Sequence, residues 1–370
     1  MTPLALHEVH HVLGATFLEI QGMEAVSSYG DAGAEFEALR HSAVALDLSF
    51  RSRLCLLGAD RKKFLHGQVT NRVNELQVGQ SSYAALVTAK GRMQSDLMIY
   101  CLADELLLDF EPGLASTVSQ RLEKYVIAED VQVVDVSEPF GHLSVQGPKS
   151  LEVFERLEFG VSYPATEGEF ALRSDPMLGD VYLMRRARTG TDGFDLFAPA
   201  ASLGMIFDKL VAAVAASGGR AGGWSALEMA RIEACIPRFG ADMDETNLPP
   251  ETGLEAKAVH YGKGCYIGQE VIARIRTYGQ VAKALRGLRF APEAQVLPKK
   301  GDKIYWGDKE IGYVTSAIAS PTLKTNVALS YLRREHNQIG DAVSVRTGEV
   351  VQSAVVASMP FQPFLPEVAS

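Results

Sequence analysis

The stretch 260-HYGKGCYIGQEVIARI-275 places a single cysteine, Cys265, between glycines and shortly before an amphipathic segment. The pattern predicts a helix over residues 269–276, with Gly268 near its start. A thiol at that point, close to Lys263, lies in the positive potential of the helix start, which favours the thiolate. On these grounds a reactive cysteine and a structural one are equal alternatives.

The glycines around Cys265 do not match a nucleotide-binding loop. Gly262, Gly264 and Gly268 lie one residue out of step with G-x-G-x-x-G, and no buried strand precedes them. A Walker A loop has its lysine after the glycines, whereas Lys263 lies between them. One cysteine cannot complete a zinc site, which needs four protein ligands or three with water. The sequence therefore predicts neither a nucleotide loop nor a metal site here.

The composition is that of an ordinary globular protein. The chain has 370 residues, of which 47% are hydrophobic and 22% charged, and this length suggests two or three domains. The four cysteines are scattered without paired spacing, which favours a reducing compartment. No secretory signal or apolar run of membrane-spanning length is present. We therefore expect a cytoplasmic protein that does not contact a membrane.

The charge is unevenly distributed along the chain. A net charge of −9 argues against a general nucleic-acid binder. Between Lys257 and Arg289, however, seven basic residues stand against one acid, Glu270. Such a basic strip could steer an anionic ligand. A solvated helix face is the equally weighted alternative.

Hydrophobic periodicity predicts strands with helices inserted between them, which is typical of an α+β domain. Residues 44–58 predict a β hairpin, and a second hairpin is predicted around Gly190–Gly193. Ser225–Glu228 has the pattern of a capping box that opens a helix. Beyond about residue 283 the chain changes to short strands and turns, which predicts a small all-β barrel or sandwich.

Three charged residues outside the cysteine stretch are candidates for ligand binding. Asp195 lies within the apolar run GFDLF, where a carboxylate needs a partner, either a protein arginine or the N–H groups of a ligand. Arg231 follows the predicted capping box and could bind a ligand carboxylate, with an internal salt bridge as the alternative. Asp96 follows a glycine turn at the start of a predicted strand.

The segment KGCYIGQEVIAR resembles the signature of the YgfZ-type folate-binding proteins, which support iron–sulfur enzymes. The rest of the chain is similar to the superfamily typified by the aminomethyltransferase, or T-protein, of the glycine cleavage system. The similar segments include AKGRMQSDLMIY, RTGTDGFDLF, ARIEACIPRFGADMDETNLPPETGL and GYVTSAIASPTLKTNVALSYL. The cysteine motif is the specific one, whereas the other segments identify the superfamily.

The resemblance implies an α+β, cloverleaf-like T-protein folate-binding fold with a C-terminal small β-barrel. It divides the chain into a folate-binding region of two interleaved α+β subdomains at 1–282, a barrel at 283–362 and a tail at 363–370. Tetrahydrofolate, or a derivative of it, is the expected cofactor.

The resemblance also implies roles for single residues. Asp96 would lie near the reactive nitrogens of folate, although Ser95-Asp96 replaces the paired aspartates of the T-protein. Asp195 would bind the pterin ring and Arg231 would help to bind folate. Arg188 replaces the aromatic residue expected near Asp195.

One departure from the T-protein separates two functions. Where the T-protein has K-G-D-F-I-G, this chain has K-G-C-Y-I-G, so a nucleophile or soft ligand replaces a fixed charge. This predicts a tetrahydrofolate-binding accessory protein for assembly or repair of iron–sulfur clusters, including those of tRNA-modifying enzymes. Cys265 would be reactive or contact a cluster, Lys263 would support it electrostatically, and Gln269 and Glu270 would hold the loop.

The partners implied by this hypothesis are folate and iron–sulfur enzymes or cluster-assembly proteins, without direct contact to nucleic acid. The alternative is a folate-dependent aminomethyltransferase or demethylase that transfers a one-carbon unit to tetrahydrofolate, with Asp96 as its catalytic carboxylate. A non-catalytic folate store or sensor is a third hypothesis.

Overall fold

The structure, a computed structural model, describes residues 1–361, and the expected tail at 363–370 lies outside the described residues. The helices are α1 His7–Val12, α2 Ala32–His41, α3 Arg61–Gln68, α4 Ala115–Glu123, α5 Ser150–Arg156, α6 Leu203–Ala216, α7 Trp224–Glu233, α8 Glu255–Ala258 and α9 Gln269–Tyr278. Within the part of the chain described, none of them is long and apolar enough to cross a membrane.

The strands form two large sheets, one two-stranded ribbon and a barrel. They are β1 Thr16–Ile20, β2 Met23–Ser28, β3 Val44–Asp47, β4 Ser52–Leu57, β5 Ser81–Val87, β6 Met93–Cys101, β7 Leu106–Phe110, β8 Gln132–Asp135, β9 Phe140–Gln146, β10 Phe170–Asp175, β11 Gly179–Arg185, β12 Gly193–Pro199, β13 Arg220–Ala221, β14 Lys283–Phe290, β15 Lys303–Trp306, β16 Lys309–Ser320, β17 Thr325–Arg333, β18 Ala342–Thr347 and β19 Val350–Ala357.

The two large sheets are interleaved along the chain. One has the order β10-β11-β12-β9-β3-β13 and the other the order β5-β6-β7-β4-β8. The chain leaves the first sheet after β3, builds the whole second sheet, and returns to the first in β9. The second hairpin that the sequence predicts is confirmed, since β11 pairs with β12 in antiparallel register.

The hairpin predicted for residues 44–58 is wrong, because β3 and β4 belong to different sheets. Val44 pairs with Gln146, and Leu54 pairs with Leu108. Both strands are buried on both faces. Their partners therefore come from distant parts of the chain, which a local alternation pattern cannot reveal.

The capping box predicted at Ser225–Glu228 is also wrong. Helix α7 begins at Trp224 after Gly223, so Ser225 lies inside the helix. A side chain at Gly223 would meet the backbone of Ser27, since its Cβ would lie 2.4 Å from that carbonyl oxygen. The Glu228 carboxylate binds Arg231 instead of the helix start.

The predicted C-terminal barrel is confirmed. Its strands close in the order β14-β17-β16-β15-β18-β19 around buried aliphatic side chains such as Leu288, Val314 and Leu332. Separate apolar clusters fill the space between each large sheet and its helices. The fold thus has three parts, and residues from two sheets and α7 meet between them.

Candidate functional site

A charged cavity lies where the two large sheets meet α7 and the segment around α8. It encloses about 930 Å³ of empty space, with open solvent at its mouth included. Leu48, Met98, Trp224 and Leu227 contribute apolar wall. Five arginines line it: Arg51, Arg186, Arg188, Arg231 and Arg238. The carboxylates of its wall are Asp96, Glu111 and Glu228, and the exposed residues Glu167 and Lys257 lie at its mouth.

Asp109 is the centre of a buried ion network behind this wall. Its carboxylate accepts from Arg51 Nε at 2.8 Å, from Arg186 Nη1 at 3.1 Å and from Arg188 Nη2 at 3.3 Å. Burial alone would raise the pKa of Asp109, but Arg51 and the other cations hold it well below its usual range. The carboxylate is therefore ionised at neutral pH and fixes three guanidinium groups in place.

Asp195 has the partner that its apolar surroundings require. Arg188 Nε lies 2.9 Å from Oδ1 and Arg188 Nη2 lies 2.6 Å from Oδ2, which makes a two-pronged ion pair. His142 Nε2 is 3.3 Å from the same Oδ2. Burial lowers the pKa of His142 to about 4, so its ring is neutral at pH 7. Of the two partners considered for Asp195, a protein arginine is the one present.

Asp96 lies in the same cavity but has a different environment. Strand β6 carries it, and the Tyr83 hydroxyl donates to its Oδ2 at 2.8 Å. Its Oδ1 is buried and has no hydrogen-bond partner among residues 1–361. Burial, and then the charge of Glu111, raises the pKa of Asp96. This carboxyl is thus better suited than Asp109 to accept or release a proton.

Arg231 lines the cavity with its guanidinium already bound by the protein. It donates to Glu228 through Nε and Nη2, to Asp242 through Nη1, and to Ser316 through Nη2 at 3.0 Å. Since Ser316 lies on β16, Arg231 ties α7 to the barrel. The internal salt bridge considered from the sequence exists, and the role of Arg231 in folate binding stays a prediction.

The cysteine loop lies outside the cavity lining. Cys265 is exposed. The Lys263 ammonium is buried, donates to the carbonyl oxygens of His66 and Val69, and lies 4.8 Å from the centre of the Tyr266 ring. Burial lowers the pKa of Lys263 to about 7. Lys263 therefore holds the loop against the end of α3.

The helix predicted after this loop is confirmed as α9, and Gln269 and Glu270 form its first turn. In the described structure neither residue lines the cavity, and neither do Cys265 and Lys263. The roles predicted for these four residues thus concern a separate surface, where they stay predictions. Of the predicted site residues, the cavity brings together Asp96, Arg188 and Arg231, with Asp195 directly behind Arg188.

Gly268 of the cysteine motif lies where the backbone leaves no room for a side chain. Gly268 precedes α9 at φ 84°, and a Cβ there would lie 2.5 Å from the carbonyl oxygen of Thr88. A Cβ on Gly91 would likewise lie 3.3 Å from Val271 of α9. The motif thus packs on the turn between β5 and β6, and it supports from outside the strand that carries Asp96.

The basic strip predicted between Lys257 and Arg289 is not one continuous surface. Lys263 is buried, as described above, and Lys283 donates to the Tyr313 hydroxyl at 2.9 Å. Arg286 Nε donates to the carbonyl oxygen of Asn337. These three cations serve local packing. The other four, Lys257, Arg274, Arg276 and Arg289, are exposed, so an anion-steering role stays a prediction.

Sequence reasoning missed much of the cavity network, namely Arg51, Asp109, Glu111, His142 and Arg186. A signal for two of them exists in 106-LLLDFE-111, where acids interrupt an apolar strand in the same manner as Asp195. The cost of burying an unpaired carboxylate predicts arginine partners for both. The sequence gives no indication of which arginines these are.

The fold and the site together define a class: an α+β protein of two interleaved sheets and a closed barrel, with an arginine-rich central cavity. A family model described as the GCVT N-terminal domain matches residues 6–263, and one described as the glycine cleavage T-protein C-terminal barrel domain matches residues 283–362. The chain belongs to this glycine cleavage T-protein family.

Similar proteins agree with this membership. The chain is 29% identical to proteins named aminomethyltransferase from Halalkalibacterium halodurans and Saccharopolyspora erythraea, with 96% of each chain covered in both comparisons. The solved glycine cleavage system aminomethyltransferase T from Bartonella henselae superposes with a TM-score of 0.88 over 98% of each chain at 22% identity. That likeness confirms the predicted fold.

The predicted superfamily is therefore confirmed, whereas the narrower YgfZ-type resemblance is not supported, since these relatives carry the name aminomethyltransferase. Tetrahydrofolate as the expected cofactor agrees with the family, whose aminomethyltransferases use it as substrate or cofactor. Of the functions considered from the sequence, the folate-dependent transferase has more support than iron–sulfur cluster maintenance.

Proposed function

We propose that this protein is a folate-dependent transferase that moves a one-carbon unit from an amine or methyl donor to tetrahydrofolate. The observation that carries the proposal is Asp96. It is the half-buried carboxylate of the cavity wall, with a buried Oδ1, that has no arginine partner in the described structure, while Glu111 and Glu228 are both paired. The names of the relatives support the same reaction class.

Asp96 has the properties of a proton acceptor for such a transfer. The one-carbon group leaves the donor atom and bonds to a folate nitrogen, which then loses its proton. A carboxylate with a raised pKa can take that proton, and the Tyr83 hydroxyl keeps it oriented. The buried Oδ1 without a partner fits an incoming N–H group of tetrahydrofolate, which supplies the nitrogen that receives the carbon.

The fit of the pterin to Asp195 is less direct. The resemblance assigns the pterin N–H groups to this carboxylate, but Arg188 already occupies both of its oxygens. Tetrahydrofolate would thus bind against the Arg188–Asp195 pair, or Arg188 would turn away from it. The apolar side chains of Trp224 and Leu227 in the cavity wall suit a ring in either arrangement.

Replacement of Asp96 by Asn tests the proposal. The change keeps the shape but removes the proton acceptor, so kcat should fall by at least about 100-fold. Tetrahydrofolate affinity, measured by titration, should change by less than about fivefold because the cavity walls are unaffected. The purified full-length protein would be assayed for one-carbon transfer to tetrahydrofolate.

Asp104→Asn is the matched control, since Asp104 is exposed between β6 and β7. It should retain wild-type kinetics. Wild-type kinetics in D96N would contradict the role of Asp96, and a wild-type protein that fails to bind tetrahydrofolate would contradict the proposed function as a whole.

A second function, support of iron–sulfur clusters, is favoured by one observation. Cys265 is an exposed thiol on a loop held in place by the buried Lys263. Such a thiol is accessible to a partner protein or a cluster. Its test is the activity of iron–sulfur enzymes, including tRNA-modifying ones, in cells that carry C265S. Unchanged activity would remove this second function.

A further inference from the structure

The C-terminal barrel meets the central cavity only from behind. Within the part of the chain that the structure describes, no barrel residue lines the cavity. The Thr315 hydroxyl, however, donates to Asp242 Oδ1 at 2.6 Å, and the Ser316 hydroxyl accepts from Arg231 Nη2 at 3.0 Å. Arg231 and Asp242 form a buried ion pair with each other. Two consecutive barrel residues thus bind the two members of one ion pair.

A β-bulge in β16 brings the two hydroxyls to the same side of the barrel. Consecutive residues of a regular strand point to opposite faces, so the arrangement needs a break in the strand. Val314 and Ser316 oppose adjacent residues of β17, which leaves Thr315 without a partner in the ladder. The inward positions agree, since Val314 and Ala317 both pack in the barrel core. The bulge therefore turns both Thr315 and Ser316 outward, toward the ion pair.

The Arg231–Asp242 pair fixes part of the cavity wall. Every nitrogen of Arg231 donates to a protein acceptor, and both oxygens of Glu228 are among these acceptors. Asp242 Oδ2 also accepts from the backbone N–H of Arg238 at 3.2 Å. Arg231, Glu228 and Arg238 line the cavity, whereas Asp242 and Ser316 do not. The charged wall therefore depends on acceptors behind it, which the barrel supplies or holds in place.

We propose that Thr315 and Ser316 are positioning residues through which the barrel sets the geometry of the cavity wall for tetrahydrofolate. Thr315 acts through Asp242, and Ser316 acts on Arg231 directly. A buried charged group that loses a hydrogen-bond partner is destabilised, so loss of either hydroxyl favours a displaced guanidinium. Such a displacement weakens binding, because the groups that face a ligand must be held by the residues behind them. The inference rests on the proposed function, which requires tetrahydrofolate in this cavity.

Thr315→Val tests the proposal, because valine has the shape of threonine without its hydroxyl. The Kd for tetrahydrofolate, titrated calorimetrically into the full-length protein, should rise about tenfold. At saturating tetrahydrofolate, kcat should stay within about twofold of wild type, since the Tyr83 hydroxyl that orients Asp96 is not part of this network. Ser316→Ala removes the acceptor of Arg231 Nη2 and should raise the Kd about fivefold.

Two further variants separate positioning from packing. Thr315→Ser keeps the hydroxyl and should bind within about twofold of wild type, which a role of Thr315 in packing alone would not produce. Ser353→Ala, an exposed change on β19 of the same barrel, is the matched control and should bind as wild type does. Titrations at a temperature where circular dichroism shows each variant folded keep stability out of the Kd. Wild-type affinity in T315V, or equal affinity in T315V and T315S, would overturn the proposal.

The two proposals fail in different ways. If the wild-type protein does not bind tetrahydrofolate, the transferase function is wrong. If the wild type binds tetrahydrofolate and transfers a carbon to it but T315V has the same Kd, the positioning role is wrong and the transferase function stands. S316A gives the same distinction if T315V does not fold.

Discussion

The central cavity and the cysteine loop satisfy their buried charges in different ways. In the cavity, Asp109 and its arginines form an ion network in which each acid has a cation. In the loop, the one buried cation, Lys263, has backbone carbonyl oxygens as its hydrogen-bond acceptors. The first arrangement fixes side chains toward a ligand space, and the second fixes a backbone against a neighbouring helix. The difference supports the proposed function, in which the chemistry takes place in the cavity and the loop supports it.

Two carboxylates, Asp96 in the cavity wall and Asp109 behind it, show the same contrast on a smaller scale. The arginines around Asp109 lower its pKa, whereas burial without an arginine raises the pKa of Asp96. One carboxylate is therefore structural and charged at neutral pH, and the other is available for proton transfer. Variants that affect one region and leave the other unchanged test whether the two regions act separately.

The largest effect is expected from Asp109→Asn. The change leaves Arg51, Arg186 and Arg188 buried without their shared acceptor, which should lower the free energy of unfolding by about 3–5 kcal/mol. Urea unfolding at pH 7 measures it. Asp104→Asn, an exposed change on the same hairpin, should stay within about 0.5 kcal/mol of wild type. A D109N protein as stable as D104N would show that the network contributes little.

The same variant has a signature in pH. Because the folded-state pKa of Asp109 lies below its unfolded value, its stabilisation is complete above the unfolded value of about 3.9 and is lost as the pH falls further. Asp96, whose pKa is raised, has the opposite sign and loses its contribution as the pH rises through its folded-state value. Below about pH 4 the stability of D109N should therefore fall less steeply than that of the wild type.

The sequence predicted the local parts of this structure and not the long-range ones. Helix α9 and the β11–β12 hairpin follow from short periodic patterns, and Asp195 was expected to need a partner because of its apolar neighbours. The passage of the chain from one sheet to the other at Leu48–Arg51 could not be predicted, because an alternating pattern does not show which strand is the partner. The ion network at the cavity could not be predicted either, because its partners are distant in sequence: Arg51 and Asp109 are 58 residues apart.

An intermediate effect is expected from Gly268→Ala. Alanine is strained at φ 84°, and its Cβ would lie 2.5 Å from the Thr88 carbonyl oxygen, so stability should fall by about 2–4 kcal/mol. Since this contact supports the turn before β6, the kcat of transfer should fall with it. Gly264→Ala is the matched control, because its nearest neighbour would be His66 at an ordinary 3.9 Å. Equal unfolding midpoints for the two variants would show that the motif does not hold the turn.

The smallest effect is expected from Cys265→Ser, although Cys265 belongs to the most specific motif of the sequence. The thiol is exposed and lies outside the cavity lining of the described structure, so the free energy of unfolding should change by less than about 0.5 kcal/mol. For the same reason, kcat and KM of one-carbon transfer should stay within about twofold of wild type. A tenfold loss of transfer would place the thiol in the reaction and would end the separation of cavity and loop. If iron–sulfur enzymes in cells lose activity while transfer by the purified protein is unchanged, the two regions have separate functions. Support of iron–sulfur enzymes would then require the Cys265 thiol, and one-carbon transfer would not.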